Sequence, residues 1–478
     1  MISAQQQSSW RGIFRDLPRE HGFEPLRVEG SLPVELQGAL YRCGPARFSV
    51  GGDAYPHWFD GDGAVTAVRF GAGRIEGAVR LIETHWLRAE RAANRRLYRG
   101  YSQTGRGWRR WYLPKNPANT AILPWNGELL ALWEAGLPIA LDPSTLEVRG
   151  ETNLDGRIRP TFSAHPHRAG RTLFNFGIRP GPRFALDLYA FDNDVRRIAS
   201  LPLPRPTTIH DFIATPRHLI FFCPPIRLRL ARFLAGFGTY ESNLAWEPSH
   251  GTEVIVVPLA APDKPIRFTV PPFFQWHFIN AWEESGGVLV VDYVPYDDFE
   301  SNVWWGRLPF DMPASPPKSR YSRARIDLAA RRMDVEVLSD ISCEFPAIHP
   351  HDAGSMHHRT WMLSFEQLPP TLGCFDPSTK TWRTVPLGPE TVPSEPVVVP
   401  CSGAAGSQPA TRQAKSLSLH SKSLSLHELV LSLVYDGTRD ASYVAVIDGA
   451  RPEDGPVARL WFDHAIPFPF HGAWEVKS

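Results

Sequence analysis

LVLSLVYD (429–436) and YVAVIDG (443–449) are short apolar runs with Asp or Gly at their ends. Runs of this kind, bounded by turn residues, read as β-strands. The pattern recurs in AVTAVRF (64–70), AVRLIETHWL (78–87), ELLALWE (128–134), RTLFNFG (171–177), HLIFFC (218–223), TEVIVVPL (252–259), GVLVVDYV (287–294) and WMLSFE (361–366). So many short strands in a 478-residue chain, with few helical periods, indicate an all-β propeller or large barrel. No strict tryptophan-aspartate or kelch repeat is present, so spacing alone leaves the blade count open.

With 43% hydrophobic residues the chain can bury a large core. Its 51 basic and 50 acidic residues balance, so no global field draws nucleic acid. Sixteen tryptophans suit either a core or the walls of a cavity for a long apolar ligand. Cys43, Cys223, Cys343, Cys374 and Cys401 are scattered, which argues against a disulfide scaffold and against a paired-cysteine zinc site. The N-terminal MISAQQQSSWRGIF lacks the pattern of a signal peptide, and no run of 18 apolar residues suggests a spanning helix. A cytoplasmic compartment is the expectation.

Two segments break the strand pattern. In PPIRLRLARFLAGFG (224–238), Leu228, Leu230, Phe233, Leu234 and Phe237 alternate with Arg227, Arg229 and Arg232. A short helix there is expected to set an apolar face in lipid with arginines at the headgroups, giving peripheral membrane contact. Residues 401–427, CSGAAGSQPATRQAKSLSLHSKSLSLH, read as a surface insertion.

Of the 17 histidines, the cluster HPHDAGSMHH (349–358) matches no common zinc spacing. Neither HExxH nor GxSxG occurs. Four histidines stand at the edges of apolar runs: His165 in SAHPH, His210 in TTIHDF, His277 in QWHFINAWEE and His471 in FPFHGAW. Strands of a propeller converge near its axis, so residues far apart in sequence can share one metal. Glu134, Glu344 and Glu395 also lie in hydrophobic sequence, where an unpaired carboxylate is costly. A carboxylate accepting an imidazole Nδ1 proton would fix the tautomer and leave Nε2 for a metal.

The stretches GSLPVELQGALYRCGPA, HWFDGDGAV, KNPANT, LLALWEAGLP, SAHPH, IHDFIATP, CEFPAIHP, SEPVVVP and AIPFPFHGAW run nearly end to end. In order and spacing they resemble the carotenoid cleavage oxygenase family. The resemblance implies one domain over residues 1–478, a seven-bladed β-propeller with a helical and loop cap over the iron-site face. It implies Fe(II) held by His165, His210, His277 and His471, with Glu134, Glu344 and Glu395 behind three of them. It also places Thr120 near the open iron position and Trp133 in the wall of a substrate tunnel.

The implied reaction is cleavage of a conjugated C=C bond by O2, with the 15,15' bond of an apocarotenoid as the expected target and two aldehydes, one retinal-like, as products. Stilbene-cleaving relatives carry a lysine before the first of these glutamates, where it meets a phenolate. This chain has Trp133, and an indole supplies no positive charge. A stilbene dioxygenase and a propeller that binds carotenoid or retinoid without catalysis stand as the alternatives. Two departures from the family pattern are the serine-rich insertion after Glu395 and the pair Trp276 and Phe278 around His277, where a relative carries phenylalanine and histidine. The cavity shape is expected to differ accordingly. No sequence feature selects an oligomeric state.

Overall fold

The computed structural model describes residues 11–476 except 72–73, 112, 182–183, 311–314 and 401–427. The 401–427 insertion, and Cys401 with it, therefore lies outside the described residues. The remaining chain forms a seven-bladed β-propeller. The second blade is a four-stranded antiparallel meander of Ala121–Trp125, Glu128–Leu132, Ile139–Leu141 and Val148–Glu151. Four further blades repeat it, beginning with His167–Ala169, Ile213–Ala214, Phe274–Glu283 and Cys343–Ala347. These leading strands touch their counterparts in neighbouring blades, and so line the axis.

The first and seventh blades join the two ends of the chain. His21–Pro25 pairs with Arg74–Leu81 in the first blade, while Arg27–Gly30 pairs with Pro456–Trp461 in the seventh. The last strand, His471–Val476, returns to the first blade beside Gly38–Arg47. Backbone ladders thus close the ring from both termini. The apolar tail is docked as its composition implies: Phe468 and Phe470 are buried, and the Phe470 N–H donates to the Cys43 carbonyl at 2.8 Å.

Blades are buried on both faces, so the central strands are apolar at nearly every position rather than at alternate ones. Side-chain alternation then assigns each residue to one of two interfaces. In Ala185–Phe191, Leu186, Leu188 and Ala190 pack against Phe221, Ile255 and Val257 of the fourth blade. Tyr189 and Phe191 point the other way, against Leu130 and Leu132 of the second. Such runs explain why LVLSLVYD and YVAVIDG show little alternation in sequence.

Helices are short and lie in the loops between strands. AVRLIETHWL splits: its strand ends at Leu81, and the helix His85–Ala93 begins after Thr84, whose Oγ1 accepts the Leu87 N–H at 3.2 Å. That N-cap satisfies a free N–H of the first turn and fixes where the helix starts. Helix Glu300–Arg307 sets Trp304 and Trp305 in the core, with Trp305 5.9 Å from the Trp58 ring. Among the described residues no helix is long and apolar enough to cross a membrane.

Segment 224–238 contains a helix only over Leu230–Leu234. Its aromatic residue Phe233 turns inward, where Arg99 lies 3.7 Å over the ring and donates to the Phe233 carbonyl. Phe233 is therefore unavailable to a lipid surface, whereas Leu234 and Phe237 are exposed. The local composition concealed this, because the cation that takes the Phe233 ring, Arg99, lies far from it in sequence.

Leu188, fully buried between the third and fourth blades, tests the packing. Leu188→Ala is expected to remove about 2–5 kcal/mol of stability. In urea unfolding it should lower the midpoint and leave the slope unchanged.

Candidate metal centre

The histidine sites are set by the leading strands. His165 precedes His167–Ala169, and its N–H donates to Ser163 Oγ at 3.1 Å. Ser163 is fixed in turn by its N–H to the Phe176 carbonyl and by Asn175 Nδ2 on its own carbonyl. His210 precedes Ile213–Ala214, and His277 lies within Phe274–Glu283 where the pairing register shifts. His471 opens the final strand, and its N–H meets the Thr120 carbonyl at 3.2 Å.

Four blades thereby deliver four imidazoles to one place. The His165 ring centroid is 4.3 Å from His210, 5.3 Å from His277 and 4.7 Å from His471. His277 and His471 are 4.9 Å apart. His165, His210 and His277 place ligand atoms within 4.8 Å of one another, the one such group of three or more among the described residues. The cluster HPHDAGSMHH does no comparable work: its His357 is buried among Asn280, Tyr321 and Thr360.

Carboxylates hold the far sides of three rings. His277 Nδ1 donates to Glu344 at 2.6 Å and His471 Nδ1 to Glu395 at 2.7 Å. His210 Nδ1 lies in close contact with a carboxylate oxygen of Glu134. Tautomers so fixed leave Nε2 lone pairs turned inward. His165 has no such partner, and its buried Nε2 lacks any hydrogen bond. An orphan nitrogen facing other imidazoles fits a bound cation, since nothing in the protein satisfies it.

Electrostatics agree. Burial and the neighbouring imidazoles hold the His165 pKa well below its ordinary value. Burial likewise lowers that of His471 against the pull of Glu395. At His277 burial is outweighed by Glu344, and the pKa rises. Burial would raise the Glu395 carboxyl, but His471 and Arg42 hold it low.

The glutamates differ in their own support. Glu395 accepts from Arg42 and from the Gly472 N–H, each at 2.9 Å, and Glu344 accepts from the Tyr296 hydroxyl at 2.8 Å. Arg42 and Tyr296 were not singled out by sequence. A signal existed for the first, an arginine inside the apolar strand GALYRCGPA, now almost wholly buried.

A cavity of about 520 Å³ opens onto these rings. Thr120, Trp133, Glu134, His210, His277, Glu344 and His471 line it. Trp276 is part of the wall, with its ring 4.8 Å from His210 and its Nε1 donating to Ser301 at 3.0 Å.

The model of the retinal pigment epithelial membrane protein family matches residues 14–475. The apocarotenoid-15,15'-oxygenase of a Synechocystis strain is 28% identical, with 97% of this chain and 96% of that protein covered. The isoeugenol monooxygenase of Pseudomonas putida is 27% identical, with 95% of each covered. A solved structure of a Synechocystis apocarotenoid oxygenase variant superposes with a TM-score of 0.88 at 27% identity, over 99% of both chains. Fold, histidine cluster and sequence agree: the chain belongs to the retinal pigment epithelial membrane protein family of carotenoid oxygenases and carries that family's non-haem iron site.

Proposed function

We propose that this protein is a single-domain Fe(II) dioxygenase that cleaves the 15,15' double bond of an apocarotenoid aldehyde or alcohol. His165, His210, His277 and His471 are the proposed ligands. The observation that carries the reading is the cavity, which ends on the histidines and is walled by Trp58, Phe59, Trp133, Trp276 and Phe345. Iron held by these histidines would supply activation of O2 for a reaction in which each alkene carbon gains one oxygen atom, giving two aldehydes.

The chain's own residues do the rest. A polyene has no polar handle at its centre, so aromatic walls must select the bond by length and shape. Buried Thr120 sits on the wall beside His471, where it would restrict the space next to a bound ion. Trp133 covers the approach beside Glu134. Together these walls exclude bulk water from the reacting bond.

A phenolic alkene is the second reading. Tyr101 and Tyr240 bring hydroxyls to the cavity, and one relative is named an isoeugenol monooxygenase. Against it, Tyr101 already donates to Asn302 Oδ1 at 2.6 Å. No Lys or Arg is among the described residues that line the cavity, so a phenolate would lack a counter-charge there. These observations favour the polyene.

The membrane is the proposed source of so apolar a substrate. Leu113 and Leu234 line the cavity and are 64% and 56% exposed, so they mark its mouth. Phe237, at 65%, extends the same surface. Contact through these three replaces the broader face expected from the 224–238 composition.

Three tests follow from the site. Anaerobic Fe(II) titration should give one iron per chain, with none retained by His277→Ala. Glu395→Gln should weaken iron by about 10–100-fold, and wild-type binding in both variants would reject the ligand set. Apocarotenoids of stepped length, full carotenoids and hydroxylated stilbenes should be assayed with Fe(II), with products identified by mass. A retinal-like aldehyde from apocarotenoids is the expected result, and turnover confined to phenolic alkenes would overturn it. Liposome co-sedimentation should fall several-fold when Leu234 and Phe237 become serine; equal partition would remove the membrane proposal.

A further inference from the structure

Each glutamate backs a single ring, whereas Asp211 bonds beside three of them. It directly follows His210 and is 1% exposed. Its Oδ1 accepts from the Phe212 N–H and from His167 Nε2, both at 2.8 Å. Its Oδ2 accepts from the Phe278 N–H, again at 2.8 Å. His167 stands two residues after His165, and Phe278 directly follows His277. One carboxylate therefore reaches the third, fourth and fifth blades, within two residues of a histidine in each.

The bond to Phe278 answers a local need. Pairing in the fifth blade runs Gln275 opposite Pro295, Phe278 opposite Tyr293 and Asn280 opposite Asp292. The strand carrying His277 thus holds extra residues on either side of Phe278, a bulge that turns the histidine toward the axis. Bulges leave ladder groups unpaired, and a buried N–H needs an acceptor. Asp211 supplies it from the neighbouring blade. On the other side, His167 ties the same carboxylate to the His165 loop, which has no glutamate behind its ring.

We propose that Asp211 is a positioning residue of the metal centre, fixing the mutual placement of His165, His210 and His277 by binding His167, Phe212 and Phe278 through one carboxylate. This rests on the ligand reading above. Asparagine is the informative replacement. It has nearly the same shape but one oxygen and one NH2, so a donor must face either Phe278 N–H or the His167 and Phe212 pair.

The test is anaerobic Fe(II) titration, together with the visible spectrum of the Co(II)-substituted protein, on wild type and three variants. Asp211→Asn should weaken Fe(II) by about 10–100-fold and shift the Co(II) bands. His167→Leu should move both readouts the same way by less. His167→Gln keeps an N–H donor and should stay near wild type. The His167 side chain is partly exposed, so its variants should fold and carry the test alone if Asp211→Asn does not. Unchanged affinity and spectrum in Asp211→Asn, or in His167→Leu if it alone folds, overturns the proposal. Equal losses in His167→Leu and His167→Gln overturn the part given to His167. A wild-type protein that binds no iron would instead defeat the ligand reading, leaving the two failures distinct.

Discussion

Several imidazoles aimed at one point must be held apart by something other than the ion they share. Uncharged rings have little attraction for each other, and each protonated ring would repel the next. The structure meets this constraint with hydrogen bonds made on the outer sides of the rings. Glu344 and Glu395 accept Nδ1 protons at 2.6 and 2.7 Å, and Glu134 faces the third ring. Blade order, the closure of the chain and the position of the tail all serve to bring these acceptors behind the rings.

Those acceptors raise a second problem, which is their own charge. Glu134, Glu344, Glu395 and Asp211 lie around the rings, and Arg42 on Glu395 offsets only one of these charges. Burying such an excess is strongly unfavourable without compensation. Imidazoles that stay neutral offer no compensation, whereas a divalent cation among them would. The donor set and the surrounding charge therefore point to the same occupant, on independent grounds. Carboxylate ligands would cancel an ion's charge directly; here the carboxylates stand behind the rings, so the donors offered to an ion are imidazoles.

Much of this was legible in the sequence for a simple reason. A histidine at the end of an apolar run, as in FPFHGAW, and a glutamate inside one, as in LALWEAG, are each costly alone, so their presence signals a partner. Arg42 obeys the same rule and was readable in principle. Asp211 was not, because IHDF shows an acid beside a histidine, a pattern that usually marks a solvated turn. Its role depends on the bulge at Phe278, created by pairing with a strand that follows it in the chain. Phe233 escaped for the opposite reason: its neighbours suggested lipid, while the residue that claims its ring, Arg99, is distant in sequence.

Closure of the ring and completion of the site are the same event. His471 begins the strand that pairs with Gly38–Arg47, and its Nδ1 reaches Glu395 beside the strand Val397–Pro400 of the seventh blade. Arg42, in the middle of the partner strand, binds that same glutamate and the Phe470 carbonyl. The tail cannot leave without stripping a partner from Glu395 and exposing a buried ion pair. If His471 also binds iron, every ligand contributed from a separate blade makes metal binding favour the closed ring over any opened one. An ion present at 100 times its dissociation constant adds about 2.7 kcal/mol to such a state. Opening the last strand and losing the metal are then linked quantities, with the carboxylate of Glu395 as the shared link.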